Sequence, residues 1–227
     1  MIADNLAAVH QRIARACGAA GRPVQSVTLL VVSKTFGAPA VREAFTAGER
    51  RFGENYVQEG VDKIAALAAL RGQIEWHLIG PLQSNKTRVV AEQFDWVHSV
   101  DRLKTAQRLS AQRPPHLPPL QLCLQVNIGG EASKSGLAAS ELAEAAHAVA
   151  QLPGLKLRGL MAIPEVAASV EDQRRPHRKL RELLESLQSQ GLALDTLSMG
   201  MTADLEAAIA EGATIVRVGT AIFGARG

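Results

Sequence analysis

The chain has 227 residues, of which 47% are hydrophobic, and a formal net charge of +3. This length suits one α/β barrel, and the sequence lacks a run of about 18 apolar residues that would span a membrane. The first residues also lack the apolar core of a secretory leader, so we expect a cytoplasmic protein with one domain over residues 1–227. The mildly basic balance does not by itself indicate a nucleic-acid partner. Cys17 and Cys123 are expected as reduced thiols, because their spacing fits neither a disulfide framework nor a metal site.

The first predicted element is a helix over residues 4–18, whose apolar residues Leu6, Val9, Ile13 and Cys17 share one face. Short β-branched strands then alternate with helical patterns. Strands are predicted at residues 28–33, 51–53, 75–79, 96–100, 120–126, 156–163, 195–199 and 215–218. Helices are predicted between them at residues 38–47, 56–70, 103–112, 139–151, 180–190 and 203–211. Eight such alternations predict a (β/α)8 TIM barrel with an extra N-terminal helix rather than a doubly wound sheet.

Two loop segments allow a functional interpretation. The proline-rich residues 113–119 could form a linker or a recognition motif, but strands and helices alternate unchanged after them, which favours a stiff loop. The basic residues 174–179 could contact nucleic-acid phosphates. Because no Phe, Tyr or Trp is interleaved with these charges, we expect a solvated loop and helix start, and no nucleic-acid partner.

Polar residues follow most of the predicted strands, at the barrel end where (β/α)8 proteins carry their functional groups. Lys34 follows the first strand at this end. A lysine in such a place is often only a surface charge. At the mouth of an apolar barrel, however, partial loss of water favours the neutral form of an amine, which can attack an aldehyde. Lys34 is therefore a candidate nucleophile.

The ends of the last two strands have features of an anion site, since the last loops of such barrels commonly bind phosphate. Thr202 is expected to cap the helix over residues 203–211 and to donate its hydroxyl to a phosphate. Gly219 allows the backbone to approach closely, and Thr220 adds a second hydroxyl. Asp204 would repel a phosphate, so its side chain is expected to point away.

Arg217 lies within an apolar strand and shares a strand side with Gly219. One interpretation is a buried ion pair with an acidic residue elsewhere. The other is a hydrogen bond to the ring nitrogen of a bound pyridine cofactor. A guanidinium does not lose its proton, so it would leave that nitrogen unprotonated and make the ring a weaker electron sink. Such a site would hold an aldehyde better than it stabilises carbanions.

Six sequence blocks, spread in order over almost the whole chain, resemble the pyridoxal phosphate homeostasis protein family. The blocks are 32–35 (VSKT), 52–59 (FGENYVQE), 76–86 (WHLIGPLQSNK), 159–164 (GLMAIP), 198–202 (SMGMT) and 216–224 (VRVGTAIFG). Blocks of this length are far more specific than one short motif. The resemblance implies a barrel similar to the N-terminal domain of alanine racemase, with pyridoxal 5′-phosphate (PLP) bound to Lys34 as a Schiff base.

The same resemblance implies contacts of the cofactor phosphate with Thr202, Gly219 and Thr220. It also implies a contact of Arg217 with the ring nitrogen. Thr202 stands where the family more often has serine, and this substitution retains the hydroxyl.

Three further residues, Asn55, His77 and Met199, match family positions around the cofactor. Two of them have a simpler interpretation, since His77 could be a core histidine and Met199 ordinary packing. Lys134, within residues 131–136 (EASKSG), is a secondary candidate that could instead be a surface charge.

The lack of a second catalytic base favours a carrier over an enzyme. Alanine racemase adds a C-terminal domain that supplies a tyrosine base, whereas this sequence ends at Gly227 and its single tyrosine, Tyr56, follows the second strand. We therefore expect a monomer that binds and releases PLP, passes it to PLP-dependent apo-enzymes and has no evident turnover. The main alternative is a single-domain PLP-dependent amino-acid racemase. Weaker alternatives are a cofactor-free aldolase that uses Lys34 and a nucleic-acid binder that uses the arginine run.

Overall fold

The computed structural model describes residues 1–130, 135–165 and 167–224. Within these ranges eight parallel strands form a closed barrel: β1 (Thr28–Val32), β2 (Arg51–Glu54), β3 (Glu75–Leu78), β4 (Trp96–Val100), β5 (Leu120–Gln125), β6 (Leu155–Met161), β7 (Thr196–Ser198) and β8 (Ile215–Val218). Neighbours in the chain are neighbours in the sheet, and β8 pairs with β1 to close it. The predicted (β/α)8 TIM barrel is confirmed.

Helices surround the barrel in the order expected of repeated βα units. They are α1 (Ile2–Ala19), α2 (Ala38–Thr46), α3 (Val57–Ala66), α4 (Thr87–Gln93), α5 (Leu103–Gln112), α6 (Leu142–Ala150), α7 (Val170–Ser189), α8 (Leu205–Ala210) and α9 (Thr220–Phe223). The extra N-terminal helix is α1, which packs against α2, α8 and α9. In the part of the chain described here, every helix is too short or too polar to cross a membrane.

The strands separate two apolar regions because successive side chains point to opposite faces. Leu29 and Val31 belong to the large core between the strands and the helices. Leu30 and Val32 belong to the smaller cluster inside the barrel, together with Ile79, Trp96, Cys123, Met161 and Ile215. The same alternation carries the inward face past the end of β1 to Lys34, which places this residue at the mouth of the barrel.

The basic residues 174–179 do not form the predicted loop, and the helix predicted from residue 180 begins at residue 170. Ser169 caps α7, since its side chain accepts a hydrogen bond from the backbone N–H of Asp172. Pro176 lies inside the helix. A proline lacks the backbone N–H, so α7 lacks the hydrogen bond that position 176 would otherwise donate to the carbonyl oxygen of Asp172. The prediction that these residues are a loop was therefore wrong.

Two arginines of this basic segment connect helix α7 to the end of helix α8. Arg174 and Arg178 both donate to the buried carboxylate of Glu211, directly after α8, at 2.7 and 3.2 Å. Arg181, one turn further along α7, donates to the other oxygen of Glu211 at 3.4 Å. These contacts give the segment a structural role within the molecule.

The other predicted helices and loops differ less from the observed ones. The proline-rich residues 113–119 form a connection between α5 and β5, as predicted. Helix α4 was not predicted, because a helix of 7 residues is too short to establish a periodic pattern. The helix predicted at residues 203–211 is shorter at both ends in α8, which alters the expected role of Thr202, as described below.

Candidate functional site

Lys34 lies half-buried in the turn between β1 and α2, at the carboxyl end of the barrel. The next residue, Thr35, has a φ of 69°, a left-handed conformation that a β-branched residue rarely adopts. Its backbone N–H donates to Oε1 of Glu59 in α3 at 2.5 Å. Helix α3 therefore stabilises an unusual backbone conformation directly next to the candidate nucleophile.

A buried polar network supports the same turn from below. Nζ of Lys63 in α3 donates to the carbonyl oxygen of Ser33 at 2.7 Å, to Oε1 of Glu54 at 2.7 Å and to Oε1 of Glu59 at 2.6 Å. The Ser33 hydroxyl donates to the same Glu54 oxygen at 2.5 Å. Burial raises the pKa of Glu54, although Lys63 acts in the opposite direction. The residues on both sides of Lys34 are thus bonded to α3.

A cavity of about 360 Å³ has Lys34 in its wall, a size suited to a small-molecule ligand. Six of the eight residues singled out from the sequence line it: Lys34, Asn55, Thr202, Arg217, Gly219 and Thr220. They come from the ends of β1, β2, β7 and β8, so the barrel brings together residues that are far apart in the chain. A second cavity of about 680 Å³ opens beside the first and shares Asn55, Ile79 and Ile163 with it.

Arg217 faces the inside of the barrel and is buried. Its guanidinium donates to the carbonyl oxygen and the hydroxyl of Ser198, at 2.6 and 2.8 Å, and to the carbonyl oxygen of Ala162 at 2.9 Å. Among the described residues no carboxylate forms an ion pair with it, which argues against the buried ion pair considered above. Burial lowers the pKa of Arg217 to about 10, although Asp204 acts to raise it. The group is still a cation at neutral pH.

The end of β8 provides a close backbone approach and the start of a short helix. Gly219 packs tightly on β1, since a Cβ atom there would lie 2.8 Å from the carbonyl oxygen of Val32. Helix α9 begins at Thr220. The first N–H groups of a helix have no acceptor within the helix and carry partial positive charge. Gly219 and Thr220, at this end, both line the cavity and form the polar end suited to an anion.

Gly219→Ala is expected to lower the free energy of unfolding by about 1–3 kcal/mol, because the added methyl group overpacks the contact between β8 and β1. The same change should narrow the cavity. Urea unfolding measures the first effect. Gly72→Ala is the matched control, since a Cβ atom at Gly72 would meet nothing within 4 Å. Equal stability of the two variants would show that the β8 contact tolerates a side chain.

Thr202 lines the cavity. The prediction that it caps the following helix was wrong. Asp204 occupies the N-cap position of α8. Its carboxylate accepts a hydrogen bond from the backbone N–H of Met201 at 2.7 Å and forms a second one with Nε2 of His177 at 2.9 Å. Asp204 does not line the cavity in the described structure, as expected from its charge. The acid therefore shapes the loop without facing the proposed anion end.

Asn55 lies at the end of β2 in the wall of both cavities. Its Oδ1 atom is buried and has no hydrogen-bond partner in the described residues. A buried acceptor without a donor is costly. Gly80 makes this position possible, since a Cβ atom at Gly80 would lie 2.0 Å from the carbonyl oxygen of Asn55. The unsatisfied Oδ1 indicates a place where a ligand donor fits.

Neither His77 nor Met199 lines the cavity in the described part of the chain. Met199 has the outward parity of Leu197 and is buried in the core between the strands and the helices. His77 points into the barrel, where its ring stacks on Trp96 with centroids 5.3 Å apart. Direct contact of His77 or Met199 with a cofactor stays a prediction, and ordinary packing accounts for Met199. Lys134 lies outside the described residues.

The sequence interpretation missed several residues of the cavity wall, including Thr35, Phe36, Ile79, Ile163 and Met201. Strand parity could have found two of them, since Ile79 and Ile163 continue the inward-facing positions of β3 and β6. Phe36 stacks on Phe223 of α9 with ring centroids 4.8 Å apart. No periodic signal predicts that contact, because it joins the first and last loops of the barrel.

Comparison with known proteins shows the family of the chain. Residues 5–227 match the family described as "Alanine racemase, N-terminal domain". A protein of Pseudomonas aeruginosa named pyridoxal phosphate homeostasis protein is 63% identical, with 99% of this chain and 96% of that protein aligned. A protein of the same name from Escherichia coli is 54% identical, with 99% and 97% aligned.

Solved structures show the same barrel. The structure of PipY of Synechococcus elongatus with PLP bound has a TM-score of 0.87 and 39% identity, and covers 99% of this chain and 100% of that one. Alanine racemase of Corynebacterium glutamicum has a TM-score of 0.69 at 16% identity, covers 99% of this chain and 61% of that one, and shows similarity of fold alone. The resemblance inferred from the sequence blocks is therefore confirmed, and the chain belongs to the pyridoxal phosphate homeostasis protein family, within the wider family of the alanine racemase N-terminal domain.

Proposed function

We propose that this protein binds PLP reversibly as a Schiff base on Lys34 and acts in intracellular PLP homeostasis by storing and supplying the cofactor. One observation carries the proposal: an amine, a buried guanidinium and a polar strand end suited to an anion converge on a single cavity of about 360 Å³. The relatives support it, since they are named pyridoxal phosphate homeostasis proteins and PipY was solved with PLP bound.

The residues present fit the chemical groups of PLP. Lys34 supplies an amine for the aldehyde, and Gly219, Thr220 and Thr202 supply donors for the phosphate. Arg217 is a donor suited to the unprotonated ring nitrogen. The unsatisfied Oδ1 of Asn55 suits a donor such as the phenolic hydroxyl. Each polar group of the cofactor thus has a partner of the correct type in the cavity wall.

When PLP is bound, its aldehyde supplies a carbon that an amine can attack. Nζ of Lys34 would hold the cofactor through this carbon with loss of one water molecule, and addition of water would release the intact aldehyde. No oxidant or reductant takes part, so binding and release are chemically symmetrical, as storage requires.

The composition of the cavity wall supports a carrier rather than a racemase. Among the described lining residues, Lys34 and Arg217 are the only ionisable side chains. A guanidinium is a poor proton acceptor, so Lys34 is the only candidate base among the described residues of this wall. Tyr56 is 58% exposed and does not line the cavity. A two-base exchange of the Cα proton therefore has no second base among the described residues that line this cavity.

The proposal extends to the setting of the protein. We propose a cytoplasmic monomer of one domain over residues 1–227, whose partners are PLP and PLP-dependent apo-enzymes, without a membrane or nucleic-acid role. The contacts of Arg174 and Arg178 with Glu211 support the last point, because they engage those charges within the fold.

Lys34→Ala tests the covalent assignment. We expect complete loss of the PLP adduct that borohydride fixes in the unaltered protein, with an unchanged fold. Peptide mapping by mass spectrometry and unfolding in urea measure the two effects. Lys104→Ala, an exposed change in α5, should keep the adduct. An adduct on the same tryptic region in the Lys34→Ala variant would contradict the proposal.

A second measurement separates the carrier from a racemase. The pure protein, loaded with PLP, is incubated in deuterated water with a panel of L-amino acids. We expect neither D-enantiomer nor deuterium at Cα beyond the level seen with free PLP. Repeated turnover per molecule of protein would show that the protein is an enzyme.

A further inference from the structure

A chain of hydrogen-bonded side chains runs through the inside of the barrel from its amino-terminal end to the cavity. Oε1 of Glu75, at the start of β3, lies 2.9 Å from Nε2 of His77. Nδ1 of His77 lies 2.9 Å from Nε2 of His98 in β4. Nδ1 of His98 lies 2.7 Å from the hydroxyl of Ser198 in β7. That hydroxyl accepts a hydrogen bond from Arg217, which lines the cavity.

The carboxylate at one end of the chain imposes one direction on every hydrogen bond in it. Glu75 can only accept, so the neutral ring of His77 is protonated on Nε2 and accepts at Nδ1. His98 therefore donates from Nε2 to His77 and accepts at its own Nδ1. The Ser198 hydroxyl donates its single proton to this nitrogen, and its oxygen accepts from Arg217.

The surroundings favour neutral imidazoles. His77, His98 and Ser198 are buried, and Trp96 packs on both rings. Burial lowers the pKa of His77, although Glu75 raises it, and burial lowers that of His98 well below its usual value. The charged groups that act on this pair are Glu75, Arg51 and Asp95 on His77, and Arg217 on His98.

The chain also connects a buried cation to an anion. Among the described residues, the carboxylate joined to Arg217 by this chain is Glu75, at the opposite end of the barrel, whereas Asp204 acts on Arg217 through its charge. Burial acts to raise the pKa of Glu75, but the contacts with His77 and the charge of Arg51 outweigh it and lower the pKa. Three neutral side chains therefore link the cation to an ionised acceptor. Among the described residues that line the cavity none is anionic, so no carboxylate there competes with a ligand acceptor for the guanidinium.

We propose that Glu75, His77, His98 and Ser198 are positioning residues, which orient the Arg217 guanidinium at the cavity through this one-way relay of hydrogen bonds. The inference rests on the proposed function in taking the ligand of the cavity as PLP. It assigns His77 an indirect effect on the cofactor, transmitted by three side chains rather than by contact.

The relay is tested first without PLP. Nitrogen-15 NMR of the imidazole rings in the PLP-free protein at pH 7 should show His77 and His98 as neutral Nε2–H tautomers. Single His77→Gln and His98→Gln variants assign the signals. An Nδ1–H tautomer or an imidazolium at either position would overturn the relay, whatever the protein binds.

The effect on the site is tested with PLP-loaded variants. His98→Leu removes both hydrogen bonds, and we expect PLP to dissociate roughly fivefold faster, as for loss of one buried hydrogen bond, with a shifted visible absorption maximum. His98→Gln supplies one acceptor and one donor and should restore most of the difference. His116→Leu, in an exposed loop, is the control.

The outcomes separate this inference from the proposed function. If the unaltered protein does not bind PLP at Lys34, the proposed function is wrong. The tautomers of His77 and His98 still test the relay in that case. If a folded His98→Leu variant retains PLP normally and its visible absorption spectrum is unchanged, the positioning role is wrong. PLP binding itself is then unaffected. If the leucine variant does not fold, the tautomers in the unaltered protein decide.

Discussion

Lys63→Met is expected to lower the free energy of unfolding by about 3–5 kcal/mol, because it leaves a buried carboxylate without its counter-ion. The Lys63 side chain is 5% exposed and that of Glu54 is fully buried, so water cannot replace the lost contact. Glu59 is 27% exposed and can turn towards solvent, which confines the main cost to Glu54. Urea unfolding at pH 7 measures the change, with Lys104→Met in α5 as an exposed control.

The same variant should weaken the cofactor site. Lys63 bonds the carbonyl oxygen of Ser33 and orients Glu59, which in turn holds the strained backbone of Thr35. Without Lys63 the turn that carries Lys34 loses these supports, and we expect slower formation of the borohydride-fixed adduct.

A double variant distinguishes the lost charge pair from lost packing. Replacing both members of a buried ion pair with apolar residues is often neutral or stabilising, whereas removing one is not. Lys63→Met combined with Glu54→Leu should therefore recover most of the stability lost in Lys63→Met alone. If the double variant instead loses the sum of the stabilities lost in the two single variants, Lys63 and Glu54 do not act as a pair.

Acidification from pH 6.5 towards pH 5 is expected to destabilise the fold by up to about 2.7 kcal/mol per pH unit, because His77 and His98 are buried as neutral rings. The sign follows from proton binding. Below about pH 6.5 both imidazoles take up protons in the unfolded chain, whereas the folded chain, in which their pKa values are lowered, does not. The unfolded state therefore gains stability as the pH falls, until the pH reaches the folded pKa values.

Unfolding in urea at several pH values between 5 and 7 measures this slope. His98→Gln removes one of the two protons and should reduce the slope by about 1.4 kcal/mol per pH unit. His116→Gln, which changes an exposed histidine, should leave it nearly unchanged. His10 affects the slope in the opposite sense, since its hydrogen bond with Glu49 raises its pKa. Its contribution is the same in the unaltered protein and in both variants. An identical slope in the His98→Gln variant would show that His98 is not neutral in the folded state.

Some features of the site could be predicted because they depend on order along the chain. The strand ends after β1 and β8 were located from runs of β-branched residues, and in a closed barrel these two strands are neighbours. Lys34 and Gly219 therefore had to lie at the same edge. The alternation of side chains also placed Arg217 on the same side as Gly219, which the cavity wall confirms.

Other features depended on contacts between distant residues. Nothing local distinguishes His98 from a core histidine, and only the closed barrel brings it to 2.7 Å from Ser198, 100 residues away. Lys63 has the sequence context of a solvent-facing helix residue. It is buried because Glu54 and Ser33, from neighbouring strand ends, surround its amine.

The sequence by itself determined the eight-fold alternation of strands and helices, the family and six of the residues in the cavity wall. These follow from side-chain periodicity and from the residues at strand ends, which are local properties of the chain. The tertiary structure alone decided where α8 begins, which groups accept hydrogen bonds from Arg217 and how Glu75 is connected to the cavity. Closure of the barrel sets those contacts, because it brings His98 of β4 to Ser198 of β7, and Arg217 of β8 to the carbonyl oxygen of Ala162 after β6.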